Sequence, residues 1–188
     1  MADILQLRAE LLGVTPLVWR RLLVPASATL GRLHQTLQTA FGWQDRHLHQ
    51  FAVGTVAFGP RFPDLDVLKP LEDEARARLD RCLPSGIREF DYRYDFGDDW
   101  HVRLVVEERL PGDPDLAYPL CTAGEQAGPP EDVGGPPGYA DFLAALANPR
   151  HAQHRDYRTW IGGVFDPAGF DLNAINRDLR RGTPRRRR

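Results

Sequence analysis

The sequence predicts an α+β domain in which amphipathic helices pack on one antiparallel β-sheet. Three observations carry this. Residues 4–11 alternate apolar and polar side chains; residues 90–107 hold two such alternating rows around a Gly-Asp-Asp turn; and apolar residues recur at helical spacing near 30–41, 139–146 and 172–179.

In the first strand Leu5, Leu7, Ala9 and Leu11 face one side, and Gln6, Arg8 and Glu10 the other. Gly13-Val14-Thr15-Pro16 reads as a turn, and residues 17–24, rich in branched and aromatic side chains, as the antiparallel partner. Thr29 is placed to cap a helix whose Leu30, Leu33, Leu37 and Phe41 form one stripe, with Arg32, Gln35 and Gln38 expected outside and Gly42 as the stop. Residues 48–56 and the segment around 75–80 read as further strands.

Residues 90–96 and 100–107 predict a hairpin. Bringing its apolar rows together pairs Phe96 with Trp100, Tyr94 with Val102 and Tyr92 with Leu104, and leaves Gly97-Asp98-Asp99 as the loop. That register sets Asp95 across from His101, and Arg93 across from Arg103, so that either Asp95, diagonal to Arg103, offsets the facing arginines, or Arg93, Arg103 and His101 form an anion-binding patch beside Asp95. Residues 111–137 read as a loop dense in Pro, Gly and acidic groups, expected to pack against this hairpin because loops of such length are uncommon without a task. Tyr139, Phe142, Leu143 and Leu146 predict a second helix stopped by Asn148-Pro149, and a short helix follows around 150–158. Asp171 caps a last helix along Leu172, Ile175 and Leu179, ended by Gly182 and Pro184. The expected organisation is one domain over residues 1–182 and an arginine tail over 183–188.

At 188 residues, with 42% hydrophobic and 27% charged side chains, the chain is an ordinary globular one. The net charge of −2 conceals an asymmetry. Residues 177–188 hold seven arginines and one aspartate; removing them takes the basic residues from 24 to 17 and the acidic from 26 to 25, leaving the body at −8. An acidic body is a poor match to a dedicated DNA-binding domain. Two cysteines, Cys82 and Cys121, are too few for a disulfide scaffold and are read as thiols. No apolar run approaches a membrane span and no signal pattern opens the chain, so a cytoplasmic protein is expected.

Three stretches resemble, in order, the signature blocks of the plasmid pRiA4b ORF-3 family: residues 16–51 (PLVWRRLLVPASATLGRLHQTLQTAFGWQDRHLHQF), 92–100 (YRYDFGDDW) and 129–139 (PPEDVGGPPGY). The resemblance extends in weaker form over residues 3–180 and implies a single α+β domain of bacterial type. It implies a context too, since such proteins occur on plasmids, as passengers in mobile insertion elements and in chromosomes, but no reaction. Relatives carry cysteines at the positions of Gly128 and Val133 beside one like Cys121; here Cys121 stands alone, and no zinc site is carried over.

The remaining constellations each have a chemical and a structural reading. His47 and His49 lie two apart and on a strand would share a face, serving one ligand or edging the core. His34 flanks a helical stripe, as a packed histidine would. His151 and His154 stand i,i+3 without the Glu of an HExxH motif. Asp98 and Asp99 would suit a hard cation or simply a turn. Glu131 and Asp132 would add oxygen ligands or keep a loop solvated. Trp19, Trp43, Trp100 and Trp160, with Phe41, Phe51 and Tyr139, would line a groove or fill the core. Phosphate-loop, dinucleotide and nucleophile-elbow motifs are missing.

The reading these support first is a binding or interaction module, not an enzyme, whose ligand surface combines the hairpin turn at 97–99, the histidines at 47–49 and the PPED loop, with His47, His49, Arg93, Arg103, Glu131 and Asp132 as ligand-binding residues, no assigned metal, and cofactor and ligand unknown. The alternative is a metal-dependent phosphoester hydrolase using Asp95, Asp98, Asp99 and His101, with His49 or Glu131. A third is a DNA accessory protein whose Arg185, Arg186, Arg187 and Arg188 neutralise phosphates.

Overall fold

The structure is a computed structural model and describes residues 3–61 and 71–182. The predicted tail and its boundary lie outside the described residues. An eight-stranded sheet runs in the order β5-β4-β3-β6-β7-β1-β2-β8. Its strands are β1 (Asp3–Leu11), β2 (Val18–Pro25), β3 (His49–Val53), β4 (Val56–Gly59), β5 (Glu72–Asp73), β6 (Glu89–Tyr94), β7 (Trp100–Pro111) and β8 (Leu120–Glu125). All neighbours are antiparallel except the short β4–β5 pair. The helices are α1 (Leu30–Phe41), α2 (Leu79–Cys82), α3 (Gly135–Ala147), α4 (His154–Ile161) and α5 (Leu172–Arg181).

The alternation works as the sequence predicts. Leu5, Leu7, Ala9 and Leu11 pair with Val24, Leu22, Arg20 and Val18 on one side, and the last three face Val106, Leu104 and Val102 on the other. This buried face continues through Tyr92 and Phe51, while the opposite face carries ion pairs such as Arg21–Glu107 at 2.6 Å. Thr29 caps α1 through the Arg32 amide, and Gly42, at φ 82°, ends it. Leu30, Leu33, Leu37 and Phe41 are buried.

Five expectations need correction. Residues 48–56 are not one strand but β3, a turn at Gly54 and the start of β4. The segment around 75–80 turns into α2 instead of extending; its alternating small and charged residues lack the branched side chains that hold a strand. Within 111–137 lies β8, which pairs with β2. Gln38 is fully buried, not exposed, because its amide bonds the Tyr92 hydroxyl at 3.0 Å. The hairpin forms, but two residues out of the predicted register: Tyr94 pairs with Trp100, Tyr92 with Val102 and Phe90 with Leu104.

Candidate functional site

The register places Arg93 opposite His101 and Asp91 opposite Arg103. Asp95 therefore does not face His101; that imidazole bonds Asp91 at 2.7 Å on the outer side of the sheet. Arg93 pairs with Asp99 at 2.5 Å, and Arg103 is exposed across from Asp91. The three cationic groups predicted as one patch are each set against a carboxylate.

The longer turn sends Asp95 elsewhere. Residues 95–99 connect the strands, with Asp95 at φ 56° and Asp99 at φ 52°, a left-handed conformation that Asp tolerates better than most residues. Asp95 Oδ1 accepts the amides of Gly97 and Asp98 at 3.0 and 3.3 Å, which leaves Oδ2 free to point out of the turn. Asp98 Oδ2 accepts the Gly134 amide at 3.0 Å. Gly135, at φ 67°, lies so close to the Asp98 carbonyl that a side chain has no room there. The turn and the 129–135 loop are thus docked, as expected for part of the 111–137 segment.

A third segment, residues 43–48, follows α1. Trp43 is buried and its indole N–H donates to the Pro129 carbonyl at 3.2 Å. The Gln44 amide donates to Glu131 Oε1 at 2.7 Å, and the Arg46 amide to the Tyr94 hydroxyl at 3.1 Å. That hydroxyl donates in turn to Glu131 Oε1 at 2.9 Å; burial pushes the Tyr94 phenol up, so it remains a donor.

Where the three segments meet, His47 Nε2 lies 3.0 Å from Asp132 Oδ1, 3.4 Å from Asp95 Oδ2 and 3.8 Å from Glu131 Oε2. None of these contacts has hydrogen-bond geometry, so His47 Nε2 and Glu131 Oε2 are buried without a partner; the Trp100 indole N–H is the other such group among the described residues. Asp95 and Glu131 are nearly buried and Asp132 is open to solvent. Asp132 also has a left-handed backbone, φ 60°. Four residues singled out in the sequence, His47, Asp95, Glu131 and Asp132, are brought together; Asp98, Asp99, His101, His49, Arg93 and Arg103 are not.

His49 belongs to a neighbouring cluster. It is buried and bonds Glu74 at 2.8 Å. His34 stacks on it with ring centroids 3.5 Å apart, and bonds Asp45 at 2.9 Å and the Tyr92 hydroxyl at 2.8 Å. Burial lowers the His34 pKa, and the hydrogen bond from His34 lowers that of Asp45. We read His34 as a neutral donor. A hollow of about 560 Å³ opens onto His34, Asp45, His47, His49 and Glu74. Asp45 and Glu74 were not foreseen: Asp45 follows a helix stop with no pattern around it, and Glu74 precedes a segment misread as strand.

His151 and His154 do not converge. His154 bonds the Ala145 carbonyl at 2.7 Å, and His151 accepts the Gln153 amide at 3.2 Å. Of the aromatics, Trp43, Trp100, Phe41, Phe51 and Tyr139 are core, Trp19 lies under Arg8, and Trp160 is 46% exposed. Both cysteines are free thiols. Among the described residues no helix is long and apolar enough to cross a membrane.

Comparison with known proteins agrees with the signature blocks. Residues 3–174 match the sequence model of a family described as Plasmid pRiA4b ORF-3-like protein. The chain is 35% identical over 179 residues to the uncharacterised protein y4hQ of Sinorhizobium fredii, covering 94% of this chain and 91% of that one. It is 34% identical to MM3350 from Methanosarcina mazei Go1, a protein of unknown function whose crystal structure superposes with a TM-score of 0.85, covering 95% of this chain and 98% of that one. MM3350 shares the fold, and neither relative's name states an activity.

Proposed function

The chain belongs to the plasmid pRiA4b ORF-3-like family, and on that footing we propose that it is a binding module that takes its ligand in the crease around His47. The observation that carries this is the pair of buried, unpartnered atoms, His47 Nε2 and Glu131 Oε2. A core built only for stability satisfies such groups, because leaving one unpaired costs about 1–3 kcal/mol. Here they are set beside two further carboxylates by residues 44–48, 95–99 and 129–135, segments far apart in sequence. Groups held against their own repulsion are characteristic of sites built for something else to bind.

The reading has a test that needs no ligand. Glu131→Gln keeps the Oε1 acceptor for Gln44 and Tyr94, and replaces the unpartnered oxygen with a neutral donor facing Asp95 and Asp132. In phosphate-free buffer with chelator the variant should melt higher than the parent, by roughly 2–4 °C for a gain of about 1 kcal/mol. Glu107→Gln, which breaks the ion pair with Arg21, supplies the contrast and should melt no higher than the parent. A lower melting temperature for Glu131→Gln would mean that Glu131 is a structural carboxylate, and would end the proposal.

The hydrolase alternative receives less support, because Asp98, Asp99 and His101 each have a partner away from Asp95. Nucleic-acid contact through Arg185, Arg186, Arg187 and Arg188 concerns residues outside those described, and the acidic body does not favour it.

A further inference from the structure

Resting on that reading of the crease, we propose that His47, Asp95 and Asp132 form a site for one divalent transition-metal ion, of the Mn²⁺ or Zn²⁺ kind, with Glu131 as a further carboxylate at its edge. The first argument is spacing. Neighbouring donor atoms that share a small ion at about 2.0–2.2 Å must lie roughly 3–3.5 Å apart, in tetrahedral or octahedral arrangement alike. From His47 Nε2 the Asp132 and Asp95 oxygens lie 3.0 and 3.4 Å away, and the donors of His47, Asp95 and Asp132 all fall within 4.8 Å of one another; Glu131 Oε2, 3.8 Å from the same nitrogen, stands outside that set.

The second argument is how each ligand is held. In metal sites the atom that does not ligate is anchored by an outer partner, which fixes the orientation of the one that does. Glu131 Oε1 takes the Gln44 amide and the Tyr94 hydroxyl; Asp95 Oδ1 takes two turn amides. In both residues the second oxygen is the one directed at His47. The Glu131 side chain is only 6% exposed, and its Oε2 has no partner.

The third argument is charge. Three carboxylates surround one imidazole, which even when protonated offsets a single charge. Arg46 and Arg93 do not help: their guanidiniums go to Gln44 and Asp99. A divalent ion on a neutral imidazole would bring the group close to balance, which purely protein partners do not.

The donor set selects the ion. One imidazole excludes the all-oxygen shell that Ca²⁺ and Mg²⁺ prefer, and three carboxylates without thiolate disfavour Cu⁺. Asp132, 56% exposed, borders a hollow of about 310 Å³ shared with Val133, Tyr157 and Trp160, which gives the ion a route in. The neighbouring cluster has donors just as close but does not suit one ion. The His34 and His49 rings are parallel within 6°, so their in-plane lone pairs lie in two stacked planes, and a single ion cannot sit in both.

The test uses the full chain stripped with chelator and titrated separately with Mn²⁺, Zn²⁺, Mg²⁺ and Ca²⁺, read by calorimetry and, for Mn²⁺, by electron paramagnetic resonance. About one equivalent of Mn²⁺ or Zn²⁺ should bind, in preference to Mg²⁺ and Ca²⁺. Glu131→Gln and Asp95→Asn, which keep their outer hydrogen bonds, should each weaken it about tenfold or more. Glu74→Gln, in the neighbouring cluster, should leave it unchanged, and His47→Gln should remove the nitrogen coupling from the Mn²⁺ spectrum. Lack of binding, or binding that Glu74→Gln abolishes while Glu131→Gln does not, overturns the metal site. If no ion binds while Glu131→Gln still melts higher, the metal site falls and the crease stands as the seat of another ligand; if Glu131→Gln melts lower as well, both fall.

Discussion

His34 stacks on His49, donates to Asp45 and meets the Tyr92 hydroxyl, and burial holds its pKa below the ordinary 6.5. The unfolded chain therefore takes up a proton there more readily than the folded one, and stability is lost as pH falls below 6.5. Asp45, whose pKa the same hydrogen bond lowers from 3.8, adds a second loss only as pH falls further, through 3.8 and below. The melting temperature should decline between pH 6.5 and 5, and His34→Gln should flatten that decline; an equally steep decline in the variant would place the titrating group elsewhere. At this scale the sequence announced residue types well and pairings poorly. His47, Asp95, Glu131 and Asp132 stood out as ligand-capable residue types, one in a two-apart histidine pair, one beside a hairpin turn and two in a Pro/Gly loop. That the histidine segment, the hairpin turn and the 129–135 loop meet is what the sequence leads one to expect; which of their side chains converge was illegible, since it depends on backbone bends at Asp95 and Asp132 that no periodicity encodes. Gln38 was misplaced because a stripe of leucines says nothing about a polar neighbour bonded inward to a buried tyrosine.

The β6–β7 hairpin shows where pattern stops being informative for an element. Alternation fixes which face a side chain occupies, and a slip of one residue is forbidden on that ground. A slip of two keeps every residue on its face, so choosing between a three-residue loop and the five-residue turn rests on turn chemistry. Asp95 decides it by accepting the Gly97 and Asp98 amides from a left-handed backbone. Phe96 is then 52% exposed instead of facing Trp100. Phe96→Ser should accordingly change stability by no more than about 0.5 kcal/mol, whereas a buried phenylalanine truncated in this way would cost roughly 3–5 kcal/mol; urea denaturation separates the two. Strand β8 escaped notice for a different reason. Its Gly124 has no side chain to alternate, and cannot have one, since a Cβ there would lie 2.7 Å from the Trp19 carbonyl oxygen and 2.6 Å from the Phe170 ring.

At the scale of the whole molecule, the alternation in β1 and the helix of residues 30–41 were enough to foresee helices on an antiparallel sheet, while the strand order was not, because it depends on pairings between distant parts of the chain. The first two strands are both interior: β1 lies between β2 and β7, and β2 between β1 and β8. This ordering sets a clock. The β1–β2 hairpin closes over a short turn, but its two outer edges wait for residues 102–111 and 120–125, so most of the chain must leave the ribosome before both edges of that hairpin are paired. Until then the hairpin presents two open edges, a standing invitation to pair with other nascent chains. Refolding should be correspondingly slow, in the millisecond-to-second range usual for sheets closed by distant segments, and stopped-flow tryptophan fluorescence would detect it, because Trp100 opens the strand that the first hairpin is waiting for.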